Sequence, residues 1–167
     1  TIIYVPARSC MTILALSEIA SAEPNAPKIK PKMTWAINFV VKNAKVGNMT
    51  KIWHYCNVYG TEEHPVCIGE NCQIGSYSEI KPKVKIGNNC RMQSYAFIPE
   101  GVIIENNVFI GPRVTFTNDK YPRAGSKHWK RSETLLMPGC SIGAGSVISS
   151  EITIGANAVA GCDDGRS

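Results

Sequence analysis

Apolar residues recur at every sixth position through most of this chain, and nine of them follow one another without a break. The unbroken run comprises Ile68, Ile74, Ile80, Ile86, Met92, Ile98, Ile104, Ile110 and Phe116. The same spacing precedes it at Val46, Ile52 and Val58, and returns at Leu136, Ile142, Ile148, Ile154 and Ala160. A period of six is neither the period of a helix nor the two-residue alternation of a strand. It predicts a solenoid whose repeat is a short strand and a tight corner, with one large side chain turned inward.

Glycine and asparagine cluster between these apolar positions, where the predicted corners fall. Glycine directly follows the apolar residue at Gly69, Gly75, Gly87, Gly111, Gly143 and Gly155. Asparagine stands slightly further on, at Asn71, Asn88, Asn89, Asn106, Asn107 and Asn157. Because both residue types tolerate a positive φ angle, we expect them to form the sharp corners of the solenoid.

The repeat resembles the hexapeptide repeat of the left-handed parallel β-helix proteins, a family of acyltransferases. The resemblance implies an all-β fold in which three hexapeptides complete one triangular coil. Residues three hexapeptides apart would then stack above one another inside it. The interior columns expected on this basis are Ile74–Met92–Ile110 and Ile80–Ile98–Phe116.

The length of 167 residues indicates one domain, but two segments depart from the repeat. Residues 1–32 lack it, and are predicted to be an N-terminal extension or a cap on the open end of a β-helix domain spanning residues 33–167. Residues 117–135 interrupt it, and are predicted to form an external loop. This loop is polar, and a regular solenoid has no packing need for it, so it is a candidate for function.

The net charge of +5 is modest, and no run of lysine and arginine reaches five residues. We therefore expect no nucleic-acid partner. The lack of a long apolar segment predicts that the chain does not span a membrane. The slight basic excess is compatible with an anionic small ligand, such as a nucleotide diphosphate or coenzyme A, and equally with an ordinary solvated surface.

Four of the seven cysteines occupy the small position two residues before an apolar one: Cys56, Cys72, Cys90 and Cys140. This register indicates small buried side chains. Cys72 and Cys90 would stack in consecutive coils, where a disulfide is sterically conceivable. Reduced packing thiols in a cytoplasmic protein are the favoured interpretation.

Three segments carry a narrower resemblance. They are Phe116-Thr-Asn-Asp-Lys-Tyr-Pro-Arg123, Lys51-Ile-Trp-His-Tyr-Cys56 and Gly139-Cys-Ser-Ile-Gly-Ala144. Over roughly residues 38–160 the chain resembles the N-acetyltransferases of nucleotide-linked 3-amino sugars, trimeric enzymes of bacterial surface-polysaccharide pathways. The resemblance implies a homotrimer that uses acetyl-CoA, without a metal, to acetylate the amine of a UDP- or dTDP-linked sugar by direct attack of the amine on the thioester.

The resemblance also implies site residues, of which Asn118 is the leading one. An amide both donates and accepts hydrogen bonds, so Asn118 would position the amine, with His54 as general base or substrate contact. Arg123 would hold a phosphate or a sugar carboxylate with its planar fork of donors. Further substrate contacts would be Asp119, Lys120 and Gln93, and acetyl-CoA would lie against Gly143, Ala144 and Ala160.

Each of the main candidates also has a plain structural interpretation. Asn118 and Asp119 are typical of a turn at the end of a strand. Arg123 is typical of a solvated loop charge, and a single histidine such as His54 at a corner often serves as a structural hydrogen-bonding group. Gln93 would then be an exposed side chain on the surface of the coil.

Two departures from the family pattern leave other functions open. Arg113 stands where the family favours a small or amide residue, and the repeat stops at Ala160, whereas family chains usually continue for at least another coil that helps to form the coenzyme A groove. The alternative is a non-catalytic trimeric binding or scaffold protein derived from such an enzyme. A γ-carbonic anhydrase on the same coil needs three imidazoles around zinc. The spacing of His54, His64 and His128 does not reproduce that family's close histidine pair, which disfavours this function.

Overall fold

Short parallel strands wind around one apolar interior in the computed structural model of the chain. The structure describes residues 3–4, 11–12, 40–125 and 132–161. In chain order the strands are β1 (Ile3–Tyr4), β2 (Met11–Thr12), β3 (Val40–Lys42), β4 (Ala44–Val46), β5 (Lys51–Ile52), β6 (Asn57–Tyr59), β7 (Val66–Ile68), β8 (Gln73–Ile74), β9 (Glu79–Ile80), β10 (Lys85–Ile86), β11 (Arg91–Met92), β12 (Phe97–Ile98), β13 (Val102–Ile104), β14 (Phe109–Ile110), β15 (Thr115–Phe116), β16 (Thr134–Leu136), β17 (Ser141–Ile142), β18 (Val147–Ile148), β19 (Thr153–Ile154) and β20 (Val159–Ala160).

The strands form three sheets, which are the three faces of the coil. Sheet I has the order β1-β5-β8-β11-β14-β17-β20, sheet II the order β19-β16-β13-β10-β7-β4-β2, and sheet III the order β18-β15-β12-β9-β6-β3. From β3 onward the chain visits sheets III, II and I in turn, and completes six coils by β20. Strands of consecutive coils pair in parallel, as β8 does with β11 and β11 with β14. The described residues therefore form an all-β parallel β-helix without helices, which confirms the predicted fold class.

The predicted apolar columns lie inside the coil. Met92 is the partner of both Ile74 and Ile110 in sheet I, and Ile98 is the partner of Ile80 in sheet III. None of these five side chains is more than 3% exposed. Burial of an aliphatic side chain of this size stabilises a fold by about 1.5–3 kcal/mol. The columns therefore supply a large part of the driving force for coiling.

The corners correct one prediction, because in most coils the glycine directly after the apolar residue is not the residue with the positive φ angle. Gly75 and Gly87 avoid it, for example, and the residue two places later adopts it instead, as Tyr77 and Asn89 do with φ of 62° and 57°. Gly75 meets a different requirement, since a Cβ atom there would lie 2.5 Å from the carbonyl carbon of Gln93 in the next coil. Close approach of neighbouring coils, rather than backbone conformation, selects glycine at this position.

Tyrosines stack along the corner that joins sheet I to sheet III. The rings of Tyr55 and Tyr77 have centroids 4.7 Å apart, and those of Tyr77 and Tyr95 are 4.9 Å apart, with nearly parallel planes. All three have positive φ angles, which cost a residue with a Cβ atom about 1–2 kcal/mol each. Aromatic stacking returns about 0.5–1.5 kcal/mol per pair. Arg113 continues this tyrosine ladder with its guanidinium carbon 6.0 Å from the Tyr95 ring centroid, which accounts for a large cation at this corner.

Two strands of the N-terminal segment lie against the first coil. Strand β1 pairs antiparallel with β5, and β2 pairs antiparallel with β4. The other residues of the segment 1–32 lie outside the described part of the chain, and the division into an extension and a β-helix domain stays a prediction. In the part that the structure describes, no helix is long and apolar enough to cross a membrane.

The cysteines at the small register positions are buried free thiols, as predicted. The thiols donate to carbonyl oxygens of the next coil: Cys72 to Gly87 at 3.1 Å and Cys90 to Glu105 at 3.0 Å. When Cys72 is ionised, the Cys90 thiol can donate to its thiolate; this interaction lowers the pKa of Cys72 to about 7 and raises the pKa of Cys90. Packing, rather than a disulfide, is therefore the role of this pair.

Alkylation of the native protein tests whether burial or acidity governs the reactivity of these thiols. Cys67 is half-buried on the outer face of sheet II, whereas Cys72 is fully buried. We expect iodoacetamide to modify Cys67 at least about tenfold faster than Cys72, because a buried thiolate must first be exposed by local unfolding. Tandem mass spectrometry, which locates the modified residue within the tryptic peptide that carries both cysteines, measures both rates. Faster modification of Cys72 would contradict this, since it would show that its lowered pKa outweighs its burial.

Candidate functional site

The external loop leaves the coil at the corner between sheets III and II. It follows β15 and ends at Glu133, directly before β16 begins at Thr134, so it stops two residues short of the predicted boundary at residue 135. The backbone N–H of Ser132 donates to the carbonyl oxygen of Asn118 at 3.3 Å, so the two ends of the loop are joined. Residues 126–131, which include the predicted loop residues Lys127, Trp129, Lys130 and Arg131, lie outside the described residues.

Asn118 lies at the rim of an open groove of about 360 Å³ on the outer side of sheet III. Its side chain is half-buried, and its Nδ2 donates to the carbonyl oxygen of Glu100 in the coil before it, at 3.3 Å. The groove is lined by Tyr59, Lys81, Pro82, Phe97, Pro99, Glu100 and Asn118. The leading candidate of the sequence therefore sits in a concave surface that combines ring faces with polar groups.

Lys81 is the central polar group of this groove. Its ammonium lies 2.5 Å from a Glu79 carboxylate oxygen and donates to the Tyr59 hydroxyl at 2.8 Å. It also lies 4.9 Å from the ring centroid of Tyr59 and 6.0 Å from that of Phe97. The hydrogen bonds to Glu79 and then to Tyr59 raise the pKa of Lys81, so its ammonium is charged at neutral pH. The groove thus holds a fixed, oriented cation beside two aromatic rings.

The other predicted residues of the loop make contacts within the loop or with the next coil. An Asp119 carboxylate oxygen accepts a hydrogen bond from the backbone N–H of Tyr121 at 2.9 Å. Asp119 thus forms the turn at the end of a strand that was the structural alternative to a role in substrate binding. Lys120 pairs with Glu151 at 3.0 Å. Arg123 is exposed and donates to the carbonyl oxygen of Pro122 at 3.1 Å. Asn118 lines the groove, and these three predicted substrate contacts do not.

A second group of predicted residues lies at a different corner, between sheets I and III. His54 follows β5, Gln93 follows β11, and Gly143 and Ala144 follow β17, while Ala160 is in β20 of the same sheet. His54 is exposed, with its ring edge-on to Tyr55 at a centroid distance of 6.3 Å. Because β5 belongs to sheet I and β15 to sheet III, one protomer does not bring His54 to Asn118. Assembly of protomers is required for the two to act together.

Several groove residues were not predicted from the sequence, because the pattern considered there was that of the inward-facing residues and of the external loop. Tyr59, Lys81 and Phe97 all face outward from sheet III in consecutive coils. Their common face could have been recognised by carrying the repeat register over to the outward positions of β6, β9 and β12. Among the described residues, no three histidine, cysteine, aspartate or glutamate side chains form a group that could hold a metal ion.

Residues 65–100 match the family described as "Bacterial transferase hexapeptide (six repeats)". Among curated proteins, none matches the sequence. A crystal structure of mutant perosamine N-acetyltransferase from Caulobacter crescentus, in complex with CoA and GDP-perosamine, is similar at 15% identity and a TM-score of 0.59. That match covers 74% of this chain and 50% of the other. WeeI from Acinetobacter baumannii AYE is similar at 13% identity and a TM-score of 0.46, over 75% of this chain and 50% of the other.

This chain thus spans about half the length of both solved relatives, and at such low identity the likeness concerns the fold. The family match falls within the unbroken apolar run, where the sequence predicted hexapeptide repeats. Residues 65–100 therefore carry the predicted hexapeptide repeats, and the chain folds as a left-handed parallel β-helix.

Proposed function

We propose that this protein is an acetyl-CoA-dependent N-acetyltransferase that acts on the amino group of a nucleotide-linked 3-amino sugar. The observation that carries the proposal is the position of Asn118 in the groove of sheet III, on the loop that interrupts an otherwise regular coil. The likeness to a sugar N-acetyltransferase in complex with CoA and a nucleotide sugar supports it. The nucleotide is proposed to be UDP or dTDP, and the GDP-linked sugar of that relative makes GDP a third nucleotide to test.

The hydrogen bond of Asn118 determines which of its amide atoms is directed at a ligand. Nδ2 donates to the carbonyl oxygen of Glu100, which leaves Oδ1 to accept a hydrogen bond from the substrate amine. Such a bond would orient the nitrogen lone pair toward the thioester carbonyl at the roughly 3–3.5 Å needed for attack. The amine then forms a C–N bond, the C–S bond breaks, and the amine proton passes to the thiolate of the departing coenzyme A.

The groove wall is suited to a sugar ring. The rings of Tyr59 and Phe97 offer apolar faces to the C–H groups of a sugar, while the Lys81 ammonium between them can donate to its hydroxyl oxygens. A charged Lys81 also disfavours a protonated substrate amine in the same groove, and so favours the neutral nucleophile. Arg123, Asp119 and Lys120 are proposed to contact the nucleotide part beyond the groove.

The cofactor is proposed to lie at the other corner. Gly143 and Ala144 offer a surface with little side chain, and Gly143 is joined to Ala160 by a backbone hydrogen bond of 2.8 Å. In a homotrimer, this corner of one protomer would face the groove of the next, so that His54 and Gln93 approach the amine bound at Asn118. The proposed active site is thus shared between two copies of the chain.

Substitution of Asn118 tests this proposal directly. We expect Asn118→Ala to lower kcat for acetyl transfer about 100-fold, because the amine loses the group that orients it. Release of free coenzyme A thiol measures the rate, with UDP-, dTDP- and GDP-linked amino sugars as acceptors. Gln73→Ala, which removes an amide from the outer side of sheet I, is the matched control and should keep wild-type activity.

Two results would contradict the proposal. One is wild-type activity in Asn118→Ala. The other is a wild-type protein that neither transfers the acetyl group nor binds acetyl-CoA or any nucleotide, which is the behaviour of a scaffold. Binding is measured as a rise in the midpoint of thermal unfolding that increases with ligand concentration.

A further inference from the structure

Glu151 contacts both ends of the external loop. It lies at the corner between sheets III and II in the last coil, directly beyond the loop. One carboxylate oxygen accepts from Lys120 Nζ on the outgoing end at 3.0 Å. The other accepts from Ser132 Oγ on the returning end, also at 3.0 Å. A single carboxylate therefore bridges two segments that are separated by the whole loop.

The returning end transmits this contact to the candidate site. Ser132 is only 8% exposed, and its backbone N–H donates to the carbonyl oxygen of Asn118 at 3.3 Å. Asn118 is thus held from two sides, by Glu100 through its side chain and by Ser132 through its backbone. Glu151 fixes the side chain of Ser132, and so contributes to the position of Asn118 without touching the groove itself.

The backbone at Glu151 favours glycine, as it does at the other corner residues with a positive φ angle. Its φ angle is 63°, in the left-handed region that glycine adopts without strain. Gly101 occupies the corresponding corner two coils earlier with φ of 95°, so the coil itself can be closed there by glycine. A glutamate at this corner carries a backbone cost that the contacts of its carboxylate offset.

We propose that Glu151 is a positioning residue, which holds the external loop in the conformation that places Asn118 for acyl transfer. The proposal rests on the proposed function, but the holding of the loop can be measured without it. It also makes a distinctive prediction about stability. Replacement by glycine removes the contacts while it relieves the backbone, so the ends of the loop should be held less firmly while global stability is kept or rises.

Limited trypsin digestion tests whether Glu151 holds the ends of the external loop on the coil. Lys120 and Arg123 lie in the outgoing end of the loop, which the Lys120–Glu151 ion pair ties to the last coil, so loss of that pair makes both sites easier for trypsin to bind. We expect Glu151→Gly to raise both cleavage rates about tenfold, because one exposed ion pair and one hydrogen bond are lost. The thermal midpoint should be unchanged or higher. Glu133→Gln, which removes a nearby exposed carboxylate, is the control and should be digested like the wild type.

Enzyme kinetics test whether this holding of the loop places Asn118 for acyl transfer. We expect Glu151→Gly to lower kcat about tenfold with an unchanged KM for acetyl-CoA, since the amine and not the cofactor is misplaced. Glu151→Gln should fall between this variant and the wild type, because its amide oxygen can still accept from Ser132 while the charge attraction for Lys120 is gone. Added salt should raise the cleavage rate of the wild type but not of Glu151→Gln, whose remaining contact carries no ion pair.

Wild-type cleavage rates in Glu151→Gly would overturn the proposal, and so would faster cleavage with an unchanged kcat. If the wild-type protein has no transferase activity with any acceptor, the proposed function fails. In that case a wild-type cleavage rate in Glu151→Gly overturns the loop-holding role, and a faster rate supports it.

Discussion

Phe116→Ala is expected to lower the free energy of unfolding by about 3–5 kcal/mol. Phe116 is fully buried, is the largest of the fully buried side chains, and lies beside Ile148 of the next coil in sheet III. Truncation to alanine opens a cavity that neighbouring backbone, fixed by parallel pairing on both sides, cannot fill. In a solenoid each coil is stabilised by its neighbours, so the cavity weakens two coil interfaces at once. The thermal midpoint should fall by about 10 °C.

Phe109 provides the matched control, since it has the same side chain in the strand before. It lies on the outer side of sheet I and is 38% exposed. Phe109→Ala should therefore cost about 1 kcal/mol or less in the same denaturation experiment, at the same protein concentration. Equal losses for the two variants would show that the interior of the coil does not supply the stability assigned to it here.

Gly75→Ala is expected to destabilise the fold by about 3 kcal/mol, although it adds only a methyl group. The new Cβ atom would lie 2.5 Å from both the carbonyl carbon of Gln93 and the backbone nitrogen of Ser94. These are backbone atoms of the next coil, so they cannot turn aside as a side chain would. The coils must separate locally, and the backbone hydrogen bond from Gly75 to Met92, 2.8 Å long, would lengthen.

Gly155→Ala separates this effect from a general intolerance of substitution at these glycines. Gly155 has the same place in the repeat, but a Cβ atom there would have no neighbour within 4 Å, and its φ angle is not positive. We expect it to be neutral or stabilising by about 0.5 kcal/mol, because alanine restricts the unfolded chain more than glycine does. Chemical denaturation measures both variants, and a large loss at Gly155 would count against coil contact as the cause.

The interior of this fold could be predicted almost completely from the sequence, because it depends on one repeated requirement. Met92 and Ile98 each occupy the same inward position as the residue one coil away, so the requirement for an apolar side chain is repeated along the sequence at a fixed spacing. The external loop could be singled out for a related reason, since it begins where the period fails, and the family resemblance then implied Asn118 within it. A break in a regular pattern is visible without any knowledge of the outer surface.

The outer groove and the role of Glu151 could not be predicted, because they depend on contacts that leave no repeating pattern in the sequence. Lys81 donates a hydrogen bond to Tyr59 although 22 residues separate them, four more than one regular coil contains. The four extra residues bulge out between the two strands, so both side chains still face outward from sheet III, and this alignment is visible only in the assembled sheet. The role of Glu151 depends on how the ends of the loop return to the coil. The sequence suggested that Gly75 is needed for a positive φ angle, which was wrong. Close packing of neighbouring coils selects glycine as well, and a sequence does not distinguish the two requirements.

The external loop begins and ends on strands whose positions are fixed by the coils on either side. Thr117 and Thr134, at its two ends, donate backbone hydrogen bonds to Ile148 and Gly101, and neither bond involves the loop interior. Loop closure free energy changes little with length once both ends are held. Evolution can therefore exchange this segment, or lengthen it, while the coil stays intact. New binding properties can arise in such a lineage by recombination of a short stretch of coding sequence, with the scaffold inherited unchanged.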